Sequence, residues 1–231
     1  FVTSEMLVRQ FIYGKKWVEE LFPGFESEVY YNTDIPGLGV QMPQILAKSG
    51  VDFLYASRSW NFDGYTPSEF KQWEAMDGSR VNTFFMNHYG NGQGTYMSEG
   101  GISGNAYIVN RINEYMADME ANPNLGSEYA LLYGQDCSMP ADFAERIEEW
   151  NAYAAENGLP EMKYSTMQEA LKGGFAGSGA FSEEDTLTGE WPNKWFYENA
   201  ASDYETFVNQ REAERYLRTA ETLAVLRAIL T

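Results

Sequence analysis

Cysteine, histidine and positive charge are all scarce in this sequence. Its one cysteine, Cys137, excludes a disulfide framework. With no adjacent base evident, it reads as a small buried residue rather than a nucleophile. The one histidine, His88, suits a hydrogen-bonded structural role as well as a catalytic one. Only 16 lysines and arginines oppose 34 acidic residues, a net charge of −18. A phosphate backbone or an anionic lipid surface would repel such a chain, which argues against nucleic-acid and membrane-surface partners. No apolar run approaches the roughly 20 residues of a membrane span. There is no Asn-x-Ser/Thr acceptor, and the lack of a signal-peptide pattern in these residues carries little weight. The chain opens on Phe1 rather than Met, so we expect its true start to lie upstream. Cytoplasm, periplasm and secretion all stay open, as does homo-oligomerisation.

What is plentiful is apolar and aromatic surface. Hydrophobic residues make up 44% of the 231 positions, with 16 Tyr, 14 Phe and 6 Trp. That is enough for one large α/β domain, or one domain and part of another. Aromatic rings with polar tips suit a sugar-binding cleft and suit a core equally well.

The hydrophobic pattern alternates between two periods. A helix is expected over 4–22, a strand over 28–33 and a helix over 38–50 despite Pro43. A second strand follows at 51–57, and a third at 79–86, entered through the Asp77-Gly78 turn. A glycine-rich loop, 90–104, leads to a helix over 105–121. A fourth strand is expected at 129–134, a helix from about Pro140 to Glu156, a fifth strand at 161–165 and a short helix after it. Strands alternating with helices imply parallel pairing through crossovers. The segment 173–188 breaks the pattern as a loop. A long helix then starts at Ser202, where Ser202 and Glu205 match a capping box. Its apolar stripe, Phe207, Tyr216, Leu217, Ala220, Leu223 and Leu230, calls for a partner that this sequence does not contain. The expected organisation is an α/β domain over 1–188, lacking its first strand or strands, and the start of a helical domain over 189–231.

Polar residues recur just after the strands. Asp34 follows the first, Arg58 the second, Asn87 and His88 the third, and Gln135 and Asp136 the fourth. In parallel α/β folds these ends share one rim, where ligands bind. Turn chemistry alone also explains an Asp before Ile-Pro-Gly. Two carboxylates with a cation between them suit glycosidic chemistry: one attacks or steadies the sugar cation, the other protonates the departing oxygen. Arg58 would favour the ionised nucleophile, and Asp136 would need a raised pKa to keep its proton. Trp60, His88 and Tyr89 are the candidate sugar contacts near the same ends. The segment "YGNGQGTY" lacks the Gly-Lys-Ser/Thr of a phosphate loop.

These residues bring a family into view. "LVRQFIYGKKWVEELF", "NTDIPGLGVQMPQILAKSGVDFLYASR", "WEAMDGSRVNTFF", "LLYGQDCSMP" and "GEWPNKW…NQREAERYLRTAETLA" resemble, in order, segments of the α-mannosidases of glycoside hydrolase family 38. The resemblance implies a seven-stranded α/β barrel, incomplete here, followed by the first long helix of a three-helix bundle. It implies retaining hydrolysis of α-mannosidic bonds in oligosaccharides or glycans through a covalent glycosyl-enzyme. Asp34 matches the nucleophile of an Asp-x-x-Gly motif, with Gly37 in register, and also matches a ligand of a zinc-type ion. Arg58 matches the arginine beside that nucleophile, and Asp136 the general acid/base. Pro36 and Gln135 depart from the family pattern. The remaining metal ligands are expected before Phe1 and after Thr231, with His88 no evident replacement, so this segment alone should be inactive. Two other readings compete: a catalytically silent carbohydrate-binding relative, and a metal-independent glucan-acting barrel enzyme.

Overall fold

A computed structural model of the chain describes residues 4–34, 37–57, 70–86, 106–132, 142–177, 181–191 and 204–230. The elements, in order, are α1 (Ser4–Leu21), β1 (Val29–Asn32), α2 (Met42–Lys48), β2 (Phe53–Ser57), β3 (Phe70–Glu74), β4 (Arg80–Met86) and α3 (Ala106–Ala121). They continue with α4 (Ala144–Asn157), α5 (Met167–Ala176), β5 (Thr186–Thr188) and α6 (Tyr204–Leu230). Pro43 is tolerated because it stands in the first turn of α2, where its missing N–H has no intrahelical acceptor to lose.

Among the described residues one sheet runs in the order β1-β2-β4-β3-β5. β1, β2 and β4 are parallel neighbours. All five residues of β2 are buried, as expected of an inner strand covered on both faces. Uniformly parallel pairing does not hold, because β3 runs antiparallel to β4. The Asp77-Gly78 turn is the tip of a hairpin, and the residues before it form a strand of their own. Ala75 N donates to Ser79 O at 2.9 Å, and Ser79 N donates to Asp77 Oδ1 at 3.1 Å, which closes the turn. β5 then adds to the far side of β3 in parallel.

Side-chain alternation divides the sheet into two faces. On one, Leu54, Ala56, Trp73, Val81 and Leu187 pack with Met42 and Leu46 of α2, and Leu7 and Phe11 of α1 cover them. On the other, Phe53, Tyr55, Phe70 and Phe84 pack with Leu171 and Phe175 of α5. A third cluster joins α3 to α4 through Ile108, Ile112, Tyr115, Trp150 and Ala154.

Three further expectations are corrected. Residues 161–165 form no strand. Their neighbourhood is claimed by α4, where Trp150 Nε1 donates to Pro160 O at 2.9 Å. Asn151 donates to Met162 O at 2.8 Å and accepts from Met162 N at 2.7 Å, which occupies the backbone groups a ladder would need. Residues 129–132 likewise form no strand. Their alternation bridges two cores instead: Tyr129 and Leu131 pack on the α3–α4 cluster, and Leu132 packs on the sheet. The supposed loop 173–188 holds the last turn of α5, a 3-10 turn at Glu183–Asp185 and β5. The expected capping residue Ser202 lies outside the described residues.

The return to the sheet at β5 is held by a shielded polar knot. Asp185 accepts from Lys71 Nζ at 3.0 Å, Asn124 Nδ2 at 2.6 Å, and Ser182 N and Oγ at 2.8 and 2.9 Å. Burial by itself would raise the Asp185 carboxyl, but the Ser182 amide, the Lys71 ammonium and the Ser182 hydroxyl hold it down at about 2. A depressed carboxylate adds stability that is complete above its unfolded value and is lost as pH falls through its folded value. Asp185→Asn is therefore expected to destabilise the full-length protein by about 2–3 kcal/mol at pH 7. The gap from the parent should narrow as pH drops from about 4 towards 2, and urea titrations across that range measure it. A gap independent of pH overturns the assignment.

α6 leaves the sheet behind. Tyr216, Leu217, Leu223, Val225, Leu226, Ile229 and Leu230 are all exposed along its 27 residues. An ion pair from Arg9 on α1 to Glu221 at 2.7 Å ties it to the α/β body. Among the described residues no helix is long and apolar enough to cross a membrane.

Candidate functional site

Parallel register brings three strand ends to one edge. Asn32 lies opposite Ala56, and Ser57 opposite Met86, so β1, β2 and β4 finish together. Asp34 stands two residues past β1 in a bend and is exposed. In parallel α/β folds ligands bind beside such an edge.

The glycine three residues on has a geometric reason. Gly37 adopts φ +87°, a region that L side chains rarely enter. Directly after it Leu38 bridges Trp191: Leu38 N donates to Trp191 O at 2.9 Å, and Trp191 N to Leu38 O at 3.1 Å. Trp191 is fully buried. Leu38 is thus pinned to the core directly after the motif glycine.

Arg58, Trp60, His88, Tyr89 and Asp136 lie outside the described residues, as do Asn87, Gln135 and Cys137. Asp34 is the one predicted site residue that the structure describes. What sequence reasoning missed is a row of stacked aromatic rings on the sheet. The rings of Tyr31 and Tyr55 stack across β1 and β2 with centroids 5.4 Å apart at 18°. Tyr55 stacks in turn on Phe84 of β4 at 6.0 Å and 26°. Burial drives the Tyr55 hydroxyl well above the ordinary phenol range, with the Tyr31 and Tyr129 hydroxyls adding to the effect. Burial raises the Tyr31 hydroxyl as well, and the neighbouring Thr33 side chain opposes it. Tyr55 Oη and Ser57 Oγ are buried with no hydrogen-bond partner among the described residues. Period-two alternation in "EVYYNT" and "VDFLYAS" is the signal that would have put Tyr31, Tyr55 and Ser57 on one face.

Among the described residues no three His, Cys, Asp or Glu side chains converge. Asp34 offers a single hard donor, whereas a zinc-type site takes three or four protein ligands. The described residues do not by themselves fit a complete metal site, and no chemical step is derived through one. A groove of about 500 Å³ between α1 and α2, lined by Phe11, Lys15, Gln44 and Lys48 among others, involves helix surfaces rather than strand ends.

Residues 1–174 match the model of the Glycosyl hydrolases family 38 N-terminal domain. The chain belongs to glycosyl hydrolase family 38. Among its relatives in the family, Alpha-mannosidase G of Dictyostelium discoideum is 27% identical over 177 residues, 74% of this chain and 14% of that protein. Alpha-mannosidase 2C1 of Homo sapiens is 26% identical over 232 aligned positions, 97% of this chain and 20% of that protein. A crystal structure of an alpha-mannosidase from Enterococcus faecalis V583 has the same fold with a TM-score of 0.61 and 20% identity. The match covers 82% of this chain and 20% of that one. The chain therefore spans about a fifth or less of the length of these family 38 proteins.

Proposed function

We propose that the full-length protein is a retaining, metal-dependent, exo-acting α-mannosidase that cleaves mannose from oligosaccharides or glycans. The observation that carries this reading is the family 38 match over residues 1–174, with Asp34 exposed just past β1 where three parallel strands end. In this reading the sheet is part of a seven-stranded barrel, and α6 is the first helix of a helical bundle that begins in 189–231.

Asp34 attacks the anomeric carbon. The bond from that carbon to the leaving oxygen breaks as Asp136 delivers its proton to that oxygen. A water then gives its proton to Asp136, adds to the anomeric carbon and expels the Asp34 carboxylate. Two inversions at one carbon leave the sugar with its starting configuration. Arg58 keeps Asp34 ionised by its positive charge. Asp34 is the single ligand this segment would give a divalent ion, and the others would come from elsewhere in the full-length protein. The isolated segment is accordingly inactive.

Full-length protein incubated with 4-nitrophenyl α-mannoside is expected to release α-mannose as the first product by proton NMR. Chelation should abolish turnover, and zinc should restore it. Initial release of β-mannose overturns retention, and turnover that resists chelator favours the metal-independent barrel enzyme. Absence of turnover with retained sugar binding marks a catalytically silent relative.

A further inference from the structure

We propose that Trp191 is a positioning residue for Asp34, fixing the far end of the loop that carries the proposed nucleophile. The inference rests on the reading under Proposed function and names a residue that serves that site through the backbone. Asp34 stands between two fixed points. On one side Asn32, the last residue of β1, is buried and in register opposite Ala56 of β2. On the other, Leu38 N donates to Trp191 O at 2.9 Å, and Leu38 O accepts from Trp191 N at 3.1 Å. Residues 35 and 36 lie outside the described residues, while both ends of the 33–37 span are set by contacts among described ones.

The hold on Leu38 comes from a strap that starts at the opposite edge of the described sheet. β1 and β5 are its two edge strands, and β5 pairs with β3. Directly after β5, Gly189 O accepts from Trp73 Nε1 at 3.0 Å, and two residues later Trp191 meets Leu38. Trp73 and Trp191 are both fully buried in the cluster that holds Met42 and Leu46 of α2, with Leu38 packed against it. Burial of so large an indole is what seats the strap; two backbone bonds alone contribute much less. α2 has Met42, Pro43, Ile45 and Leu46 buried and needs no further anchor. The constraint added by the bridge therefore falls on the span before it, where Asp34 lies. Freeing Leu38 would leave that span tied only at α2, and the extra closure entropy of a few residues is small. Placement is the larger effect, since a shift of about 1 Å at a reacting group can cost on the order of 100-fold in rate.

The test uses the full-length protein with 4-nitrophenyl α-mannoside, zinc in excess, and a temperature well below the Tm of every variant. Trp191→Ala is expected to lower kcat by about tenfold or more and to hold KM within about threefold. Leu171→Ala is the control. Leu171 is fully buried in the cluster on the other face of the sheet, so its truncation costs stability without touching the bridge. Its kcat should stay within about twofold of the parent. A role exercised through Asp34 also means that Trp191→Ala adds nothing to Asp34→Ala. With azide as nucleophile, the single Asp34 variant and the double variant should form β-mannosyl azide at rates within about twofold of each other. Should Trp191→Ala not fold, Trp191→Leu gives the same comparisons with part of the volume kept. Parental kcat in a Trp191 variant of lowered Tm, an equal loss of kcat in Leu171→Ala, or an undiminished loss in the Asp34→Ala background shows that the indole serves packing or another group. In each case the proposal fails. A parent without turnover overturns the functional reading, and this inference with it. Parental activity with any of those three results overturns this inference alone.

Discussion

Asp34→Ala in the full-length protein is expected to lower kcat for an aryl α-mannoside by about 10³-fold or more and to remove its bound metal. The carboxylate is the attacking atom in the proposed mechanism, and nothing at position 35 or 36 offers a substitute nucleophile. The backbone should not notice the change. Asp34 is exposed and stands outside β1, and the Leu38–Trp191 bridge holds the chain beyond Gly37. Lost activity with a retained Tm therefore separates a chemical role from a structural one. With zinc supplied in excess, azide sharpens the test: with the nucleophile gone, it can attack the anomeric carbon in a single displacement and form β-mannosyl azide. Removal of Asp136 should instead yield the α-azide, because the covalent step still precedes azide attack. Retained metal in Asp34→Ala means the ligand assignment is wrong, and retained turnover means the nucleophile is.

The second large effect is on stability. Gly126→Ala is expected to cost about 3 kcal/mol or more, lowering Tm by about 6–12 °C at 2–4 °C per kcal/mol. Gly126 has φ +76°, and a Cβ built there would lie 1.9 Å from Gly174 O and 2.6 Å from Gly174 C. Gly174 cannot withdraw. A Cβ at its own position would meet the Phe70 ring at 3.0 Å and Glu128 O at 3.1 Å, so α5 is already wedged between the sheet and the 126–128 segment. Gly189→Ala is the control, since Gly189 has φ +92° with nothing within 4 Å of the added carbon. It should cost about 1 kcal/mol, the backbone strain alone. Equal losses at the two positions would show that backbone conformation, not the closeness of α5, sets the cost.

The legible parts of this fold were those with local causes. Phe53 to Ala56 are a continuous apolar run, and β2 forms there as a strand buried on both faces. Thr166 and Glu169 satisfy each other's backbone N–H groups at 3.2 Å, and α5 begins there. Asp77-Gly78 announced a turn correctly, yet the reading stopped short of its first arm. "FKQWE" carries a lysine and a glutamate, which disguise a strand whose Lys71 is buried only because Asp185, 114 residues later, pairs with it. "EMKYS" was the opposite case, a strand-like string whose backbone groups were already taken by Asn151. Neither partner can be found by scanning a window.

The candidate site divides along the same line. From the amino-acid order alone came the family, the place of Asp34 after the first strand, and the glycine that its turn requires, because each depends on residues a few positions apart. Only the tertiary structure joined Tyr31, Tyr55, Phe84 and Phe70 into one aromatic row and drove Gly126 against Gly174. Those contacts depend on which strand lies beside which, and that choice is made by burial of the whole sheet between α1–α2 and α5, not by any one segment's preference.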